Sequence, residues 1–249
     1  MKYFSEEERL KKERWLQTYP TFIQSIYNKM VGAHDCYYEE LSPLINEKTV
    51  LLDAGCGKKG IMQLFKGRNA MTVGIDMQID AIKRNAAMDY KVISNVKNIP
   101  FWDETFHVII SQWLIEHIPN PETIFNEFRR ILKTNGSLIL VTNSIYNPLM
   151  MFSAVMPQGL RDRLKNRLLP PEIEEDTFPT YYMCNSVGKM DRMLRNLKYE
   201  KKLIAYLGDP SFFIFSKIFF PITLFYELLT AVKFLRPFKM HIVAHYIKK

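Results

Sequence analysis

The sequence predicts an α/β fold: a seven-stranded, mostly parallel sheet with helices on both faces. Three observations predict it. The chain has 249 residues and is 47% hydrophobic, enough for a sizeable core and too apolar for disorder. Short apolar runs recur along it, separated by stretches with helical spacing. One of these runs, Val50-Leu51-Leu52, ends on an acid, Asp53, and passes straight into a glycine turn, Gly55-Cys56-Gly57. A buried parallel strand, a glycine turn and a helix N-terminus make a ligand cradle at the carboxyl end of such a sheet.

The net charge is +8, which leaves three classes of partner open: nucleic acid, an anionic membrane surface or an anionic substrate. Cys36, Cys56 and Cys184 are scattered, without CxxC or zinc spacing, so no metal site is expected and the thiols read as reduced. The N-terminus, MKYFSEEERLKKERW, is too charged for a signal peptide, and a cytoplasmic setting is expected, with peripheral contact to the inner face of a membrane.

Residues 1–48 read as a helical cap. A charged helix spans 5–19, with Ser5 and Glu8 spaced as a capping box and Pro20 ending it. Phe22, Ile23, Ile26, Tyr27 and Met30 recur at helical spacing in a second helix. A third runs from about Ala33 to Ile45 and carries His34 and Tyr38 toward the cradle.

From residue 49 strands and helices alternate. Strands are expected at Val50–Leu52, Ala70–Ile75, Tyr90–Ile93, Val108–Ser111, Ser137–Thr142, Tyr199–Leu207 and Met240–Ile247. Helices are expected at Ile61–Lys66, Gln78–Asn85, Glu122–Leu132, closed by Asn135-Gly136, and Val187–Asn196. Gly55, Gly57 and Gly60 fit a dinucleotide fingerprint literally, but Asp53 would repel a pyrophosphate, whereas a ligand with an amino group would be held there. Asp76 ends the second strand about twenty residues after Gly57, the separation expected of an acid that accepts ribose hydroxyls. It is also placed to cap the next helix.

The DxGxG spacing resembles motif I of the class I S-adenosylmethionine (SAM)-dependent methyltransferases, with Lys59 at the family's third glycine and Gly60 one residue later. Further matches come in order along the chain. The stretch Asn95 to Val108, with Ile99-Pro100-Phe101 and Asp103, resembles the pattern "D-A-x-x-L-P-F-x-D-x-S-F-D". Gln112 to Pro121 resembles the "hvieHv-d-p" segment of the quinone and sterol branch. RRILKTNGSLILVTNS resembles "R-x-L-K-P-G-G-x-l-l-i". The resemblance is continuous over residues 49–144 and implies a Rossmann-like domain from 49 to 249 with SAM as cofactor. It assigns Asp53, Ala54, Gly55, Cys56 and Gly57 to the methionine end, Asp76 with Met77 to the ribose, Asn95 with Val96 to the adenine, and Gln112 with Trp113 to the edge that opens on the cofactor. His117 and His34 are the candidate bases, His117 also being a candidate brace for its turn. His107, at the pattern's final acid, reads as structural.

Two insertions interrupt this domain, at about 147–180 and 208–239. The first has a basic run, Arg161, Arg163, Lys165 and Arg167, then the acidic Glu172, Glu174, Glu175 and Asp176, then Tyr181 and Tyr182 as candidate acceptor contacts. The second is intensely aromatic from Pro210 to Leu229, is split by Pro221 into two expected short helices, and is succeeded by Lys233, Arg236 and Lys239. It is too interrupted to span a bilayer. Buried core, a homodimer interface and a membrane-surface contact through 210–236 are the competing readings, the last being preferred. The implied function is methyl transfer to an O- or C-acceptor on a lipid-linked or amphipathic small molecule. A SAM-binding or adaptor protein without turnover and a nucleic-acid methyltransferase are the alternatives. No nucleic-acid partner is expected, since no Asn/Asp-Pro-Pro-Tyr motif comes after the fourth strand.

Overall fold

The computed structural model describes residues 6–58, 60–68, 71–157, 159, 160, 163 and 178–249. Ser5, Lys59, Ala70 and most of the basic-then-acidic run from 161 to 176 lie outside the described residues. The strands are β1 (Val50–Ala54), β2 (Met71–Asp76), β3 (Tyr90–Ile93), β4 (Phe106–Gln112), β5 (Leu132–Asn143), β6 (Tyr199–Leu207) and β7 (His241–Lys248). The helices are α1 (Glu6–Leu16), α2 (Thr21–Asn28), α3 (Ala33–Leu41), α4 (Ile79–Arg84), α5 (Pro121–Ile131), α6 (Pro148–Val155), α7 (Val187–Asn196) and α8 (Phe219–Leu229). The sheet order is β3-β2-β1-β4-β5-β7-β6. β7 runs antiparallel between β5 and β6, and all the other pairings are parallel. The order reverses between β1 and β4, and ligands bind at such a switch point.

Alternation along the strands makes two cores. Leu52 and Ala54 face one layer with Phe106, Leu138 and Tyr246, covered by Phe125 and Phe128 of α5 and by Met190 and Leu194 of α7. Leu51 faces the other with Ile110, Ile139 and Val243, covered by Tyr37 and Leu41 of α3 and by Ile61, Met62 and Phe65. α3 is thus a sheet-packing helix rather than part of an outer cap. A third cluster joins Leu16, Tyr19 and Tyr27 of the first two helices and their connection to Ile214, Phe220 and Leu224 of the second insertion.

Three expectations are corrected. Residues Ile61–Phe65 form a 3-10 helix, not an α-helix. α5 runs directly into β5, and Asn135-Gly136 lies in a bulge of that strand, where the register against β4 slips and Asn135 takes φ +63°. Pro221 does not split the insertion: it lies in the first turn of the single helix α8, where its missing N–H has no intrahelical acceptor to lose.

Candidate active site

Asp53, near the end of β1, is 2% exposed. Gly55 and Gly57 take φ +75° and +51°, the left-handed region in which a Cβ is strained. Gly55 and Cys56 donate their N–H groups to Ile75 O at 2.9 and 3.1 Å, which ties the turn to β2. The Gly57 N–H donates to Asp76 Oδ2 at 2.9 Å, and the Gln78 N–H to Asp76 Oδ1 at 2.8 Å, just ahead of α4. Asp76 therefore sits beside the glycine turn, aligned by main chain, with lone pairs left for two hydroxyl donors.

Two residues that sequence reasoning passed over complete the cradle. Asn85 is fully buried, and its Nδ2 donates to Cys56 O at 3.0 Å and Gly57 O at 3.2 Å, bracing the turn from beneath. Tyr37 is fully buried, and its hydroxyl has no hydrogen-bond partner among the described residues. Asp53 Oδ2 has none either. The spacing Ala33, Tyr37, Leu41 marks the buried face of α3 and would have singled out Tyr37; Asn85 has no comparable signal.

Burial, and then the charge of Asp76, push Asp53 up to about 7. Burial and the charge of Asp53 likewise hold the Tyr37 phenol well above its usual range. A buried carboxylate with one oxygen unpartnered among the described residues, beside a second acid and a phenol, fits a ligand with a cationic amino group and a hydroxyl-bearing sugar. Gly60 closes the same wall: a Cβ there would lie 3.2 Å from Asp53 Oδ2 and 3.7 Å from Gln112 Oε1, which accepts from the Ile61 N–H at 3.3 Å.

The remaining candidates separate into contacts and supports. Cys56 is turned inward against Gly74, and burial first, then Asp53, push its thiol up to about 12, so it offers a ligand main chain only. Ala54 and Val96 are likewise buried in the core, while Met77 is exposed at the rim. Asn95 Oδ1 accepts from the Lys97 N–H at 3.0 Å, leaving one lone pair for an adenine amino group. His107 Nδ1 accepts from the Val50 N–H at 3.0 Å, a supporting contact.

Trp113 holds φ +48°, a conformation rare for a bulky residue, fixed by its N–H donating to Val141 O at 2.9 Å. Its ring lies 5.3 Å from the ring of His34 and 6.0 Å from that of His241. Trp113 is thus held between His34 of α3 and His241 of β7. His117, by contrast, bonds Pro179 O through Nδ1 at 2.9 Å and packs edge-on against Phe178. That is a brace for the segment entering Tyr181 and Tyr182, whose N–H groups both donate to Glu116 O. Tyr182 is buried, with its hydroxyl on Met150 Sδ; Tyr181 is exposed. Tyr38 stacks on Phe65 and accepts from Arg68.

A seven-stranded sheet with this order, and an acid-headed glycine turn beside a second acid at its switch point, is the arrangement of the Rossmann-like class I methyltransferase fold. Residues 52–140 match the family model described as a methyltransferase domain. It is 34% identical over 130 residues to an uncharacterized protein of Methanocaldococcus jannaschii, covering 50% of this chain and 55% of that one. It is 30% identical over 118 residues to the ubiquinone biosynthesis O-methyltransferase of Histophilus somni, covering 43% and 49%. The chain thus spans about half the length of these relatives. In structure it is similar to geranyl diphosphate C-methyltransferase from Streptomyces coelicolor, with a TM-score of 0.57 at 16% identity over 87% of this chain and 78% of that one. It is also similar to a SAM-dependent methyltransferase from Methanosarcina mazei, with 0.57 at 18% identity over 85% and 97%. Both likenesses bear on the fold.

Proposed function

We propose that the protein methylates an O- or C-acceptor on a lipid-linked or amphipathic small molecule that it meets at a membrane surface. SAM supplies an activated methyl group on a sulfonium, so the work of the chain is to bind, orient and exclude water. Asp53 would take the amino group and Asp76 the ribose hydroxyls, while Gly55 and Gly57 let main chain approach. Trp113 forms the wall between this cradle and the acceptor. The observation that carries methyl transfer is the buried Asp53 Oδ2, unpartnered among the described residues, at the switch point.

The acceptor class rests on α8 and the turn C-terminal to it. Phe220 and Leu224 pack inward, but Ile222 and Phe225 on α8, and Phe234 beyond it, are 58%, 67% and 75% exposed. Lys217, Lys233 and Arg236 flank them in the sequence. Exposed apolar side chains rimmed by cations suit an anionic lipid surface. Among the described residues no helix is long and apolar enough to cross a membrane. One relative is named for ubiquinone biosynthesis and one structural neighbour for geranyl diphosphate, which agrees with an acceptor carrying an apolar tail. Mass spectrometry of lipid extracts incubated with the protein and methyl-labelled SAM tests the reading. A labelled lipid-soluble product supports it, and label confined to water-soluble products overturns the acceptor class.

A further inference from the structure

A polar cluster surrounds Trp113, built on elements other than the glycine turn. His34, at the start of α3, packs against Trp113, and Trp113 against His241 at the start of β7. Asp209, just past the end of β6, lies in the same cluster. A small pocket of about 70 Å³ is lined by His34, Asp35, Tyr27, Asp209 and Ser211, roomy enough for water. Asp209 is anchored from its own loop: its Oδ1 accepts from the Ser211 hydroxyl at 2.6 Å and the Ser211 N–H at 3.0 Å, and Lys12 Nζ of α1 donates to that hydroxyl at 2.7 Å.

The tautomer of His241 is set from behind. Buried Glu116 accepts from Thr142 Oγ1 at 2.6 Å and from Asn143 Nδ2 at 3.1 Å, which turns the Asn143 carbonyl oxygen onto His241 Nδ1 at 3.0 Å. His241 Nδ1 therefore carries its proton. Burial drives His241 down to about 4, with Asp209 opposing and His34 adding to the fall, so it stays neutral. Against the cost of burial, Lys12, then His34, hold Asp209 below the usual carboxylate range. The cluster thus sets an anion, Asp209, in one pocket with His34, beside a neutral histidine, His241.

We propose that His34 is the proton acceptor for a hydroxyl substrate, with Asp209 as its counter-charge, so that the domain is an O-methyltransferase. This rests on the methyl-transfer reading above. In the step, a lone pair on the acceptor oxygen forms the new bond to the methyl carbon, the carbon–sulfur bond breaks, and its electron pair stays on sulfur. The hydroxyl proton passes to the His34 imidazole, and Asp209 balances the imidazolium until the proton leaves to water. His34 is the catalytic residue; Asp209 is a positioning residue, joined by His241 and, through Asn143, Glu116. Among the described residues, the charged and titratable groups around His34 include Asp35 on its own helix, Asp209 from the insertion and Tyr27 from α2, which line the same pocket, and His241 from β7 across Trp113, while Lys12 of α1 acts on Asp209.

The test uses the full chain saturated with S-adenosylhomocysteine and labelled with carbon-13 at histidine Cε1. The His34 signal is assigned as the one missing from His34→Gln. Adding para-hexylphenol or decanol should shift that signal, whereas their methyl ethers should not. With labelled SAM and the better of the two alcohols, His34→Gln should lower kcat by about 100-fold or more while the affinity for S-adenosylhomocysteine stays within twofold. Asp209→Asn should move the acid limb of the kcat profile to lower pH. A His34 signal unmoved by either hydroxyl probe, or an unchanged kcat in His34→Gln, overturns the proposal. Absence of calorimetric heat with S-adenosylhomocysteine would instead overturn the methyltransferase reading beneath it.

Discussion

Glu227 of α8 and Lys239 meet at 2.6 Å with side chains only 7% and 13% exposed, and the carboxylate lies flat against Gly208. A Cβ at 208 would overlap that carboxylate. Gly208 in turn bridges Gly32, and the Ala33 N–H donates to Gly208 O at 3.0 Å. One glycine thus joins the insertion, the end of β6 and the start of α3. Removing either charge strands the other in the protein, so Glu227→Ala or Lys239→Ala should each cost about 3 kcal/mol in urea unfolding. The uncharged double variant Glu227→Leu with Lys239→Met should recover most of that loss. Gly208→Ala should destabilise comparably even though it adds only a methyl group.

The Asp53 carboxyl makes the cofactor-free protein pH-sensitive. Its folded-state value of about 7 lies above the ordinary carboxylate range, so its contribution to stability is complete below about pH 4 and is lost as pH rises through 7. That loss is on the order of 4 kcal/mol. Glu116, also raised to about 7 by burial against the pull of Thr142, adds a slope of the same sign. Thermal scans should therefore show Tm falling between pH 5 and 8, with Asp53→Asn flattening part of the slope. S-adenosylhomocysteine should raise Tm more at pH 8 than at pH 5, because its ammonium pairs with the ionised form.

Asn85 should behave as a cofactor residue without touching the cofactor. Asn85→Ala frees the carbonyls of Cys56 and Gly57 at a buried site, a cost of about 1–3 kcal/mol. Calorimetry should show SAM bound roughly tenfold more weakly, equivalent to about 1.4 kcal/mol. Unaltered affinity would show that the turn holds its shape without the brace.

Vesicle co-sedimentation separates the two faces of the insertion. Phe225→Ser with Phe234→Ser should abolish binding to phosphatidylglycerol vesicles with Tm unchanged, since both rings are exposed. Phe220→Ser should instead unfold the third cluster, because that ring is fully buried between Tyr19 and Tyr27. Failure of the parent chain to bind anionic vesicles would remove the membrane from the proposed function.

Much of the frame was legible because it is written in periods. β3, β6 and α7 fall at the residues their patterns predict, and the glycine turn with its two acids is a local signal. The unread parts depend on distant main chain. Asn85 matters only because the turn at Cys56 folds onto it. Trp113 reads as a cofactor contact in the sequence, and only the fold closes His34 and His241 around it from opposite ends of the chain. The inward half of the aromatic insertion could not be told from the outward half, since the helices that bury Phe220 and Leu224 are some two hundred residues upstream. Pro221 reads as a breaker by composition and is harmless by position.

Leu207 and His241 are paired neighbours in the sheet, so the chain leaves for residues 208–240 and comes back at the same rung. The scaffold registers that excursion as a hairpin tip, whatever its length, because loop-closure entropy grows only logarithmically. Related chains can therefore lengthen, shorten or rewrite this tip, and with it the surface they present to the outside, while the strands that carry the glycine turn stay as they are.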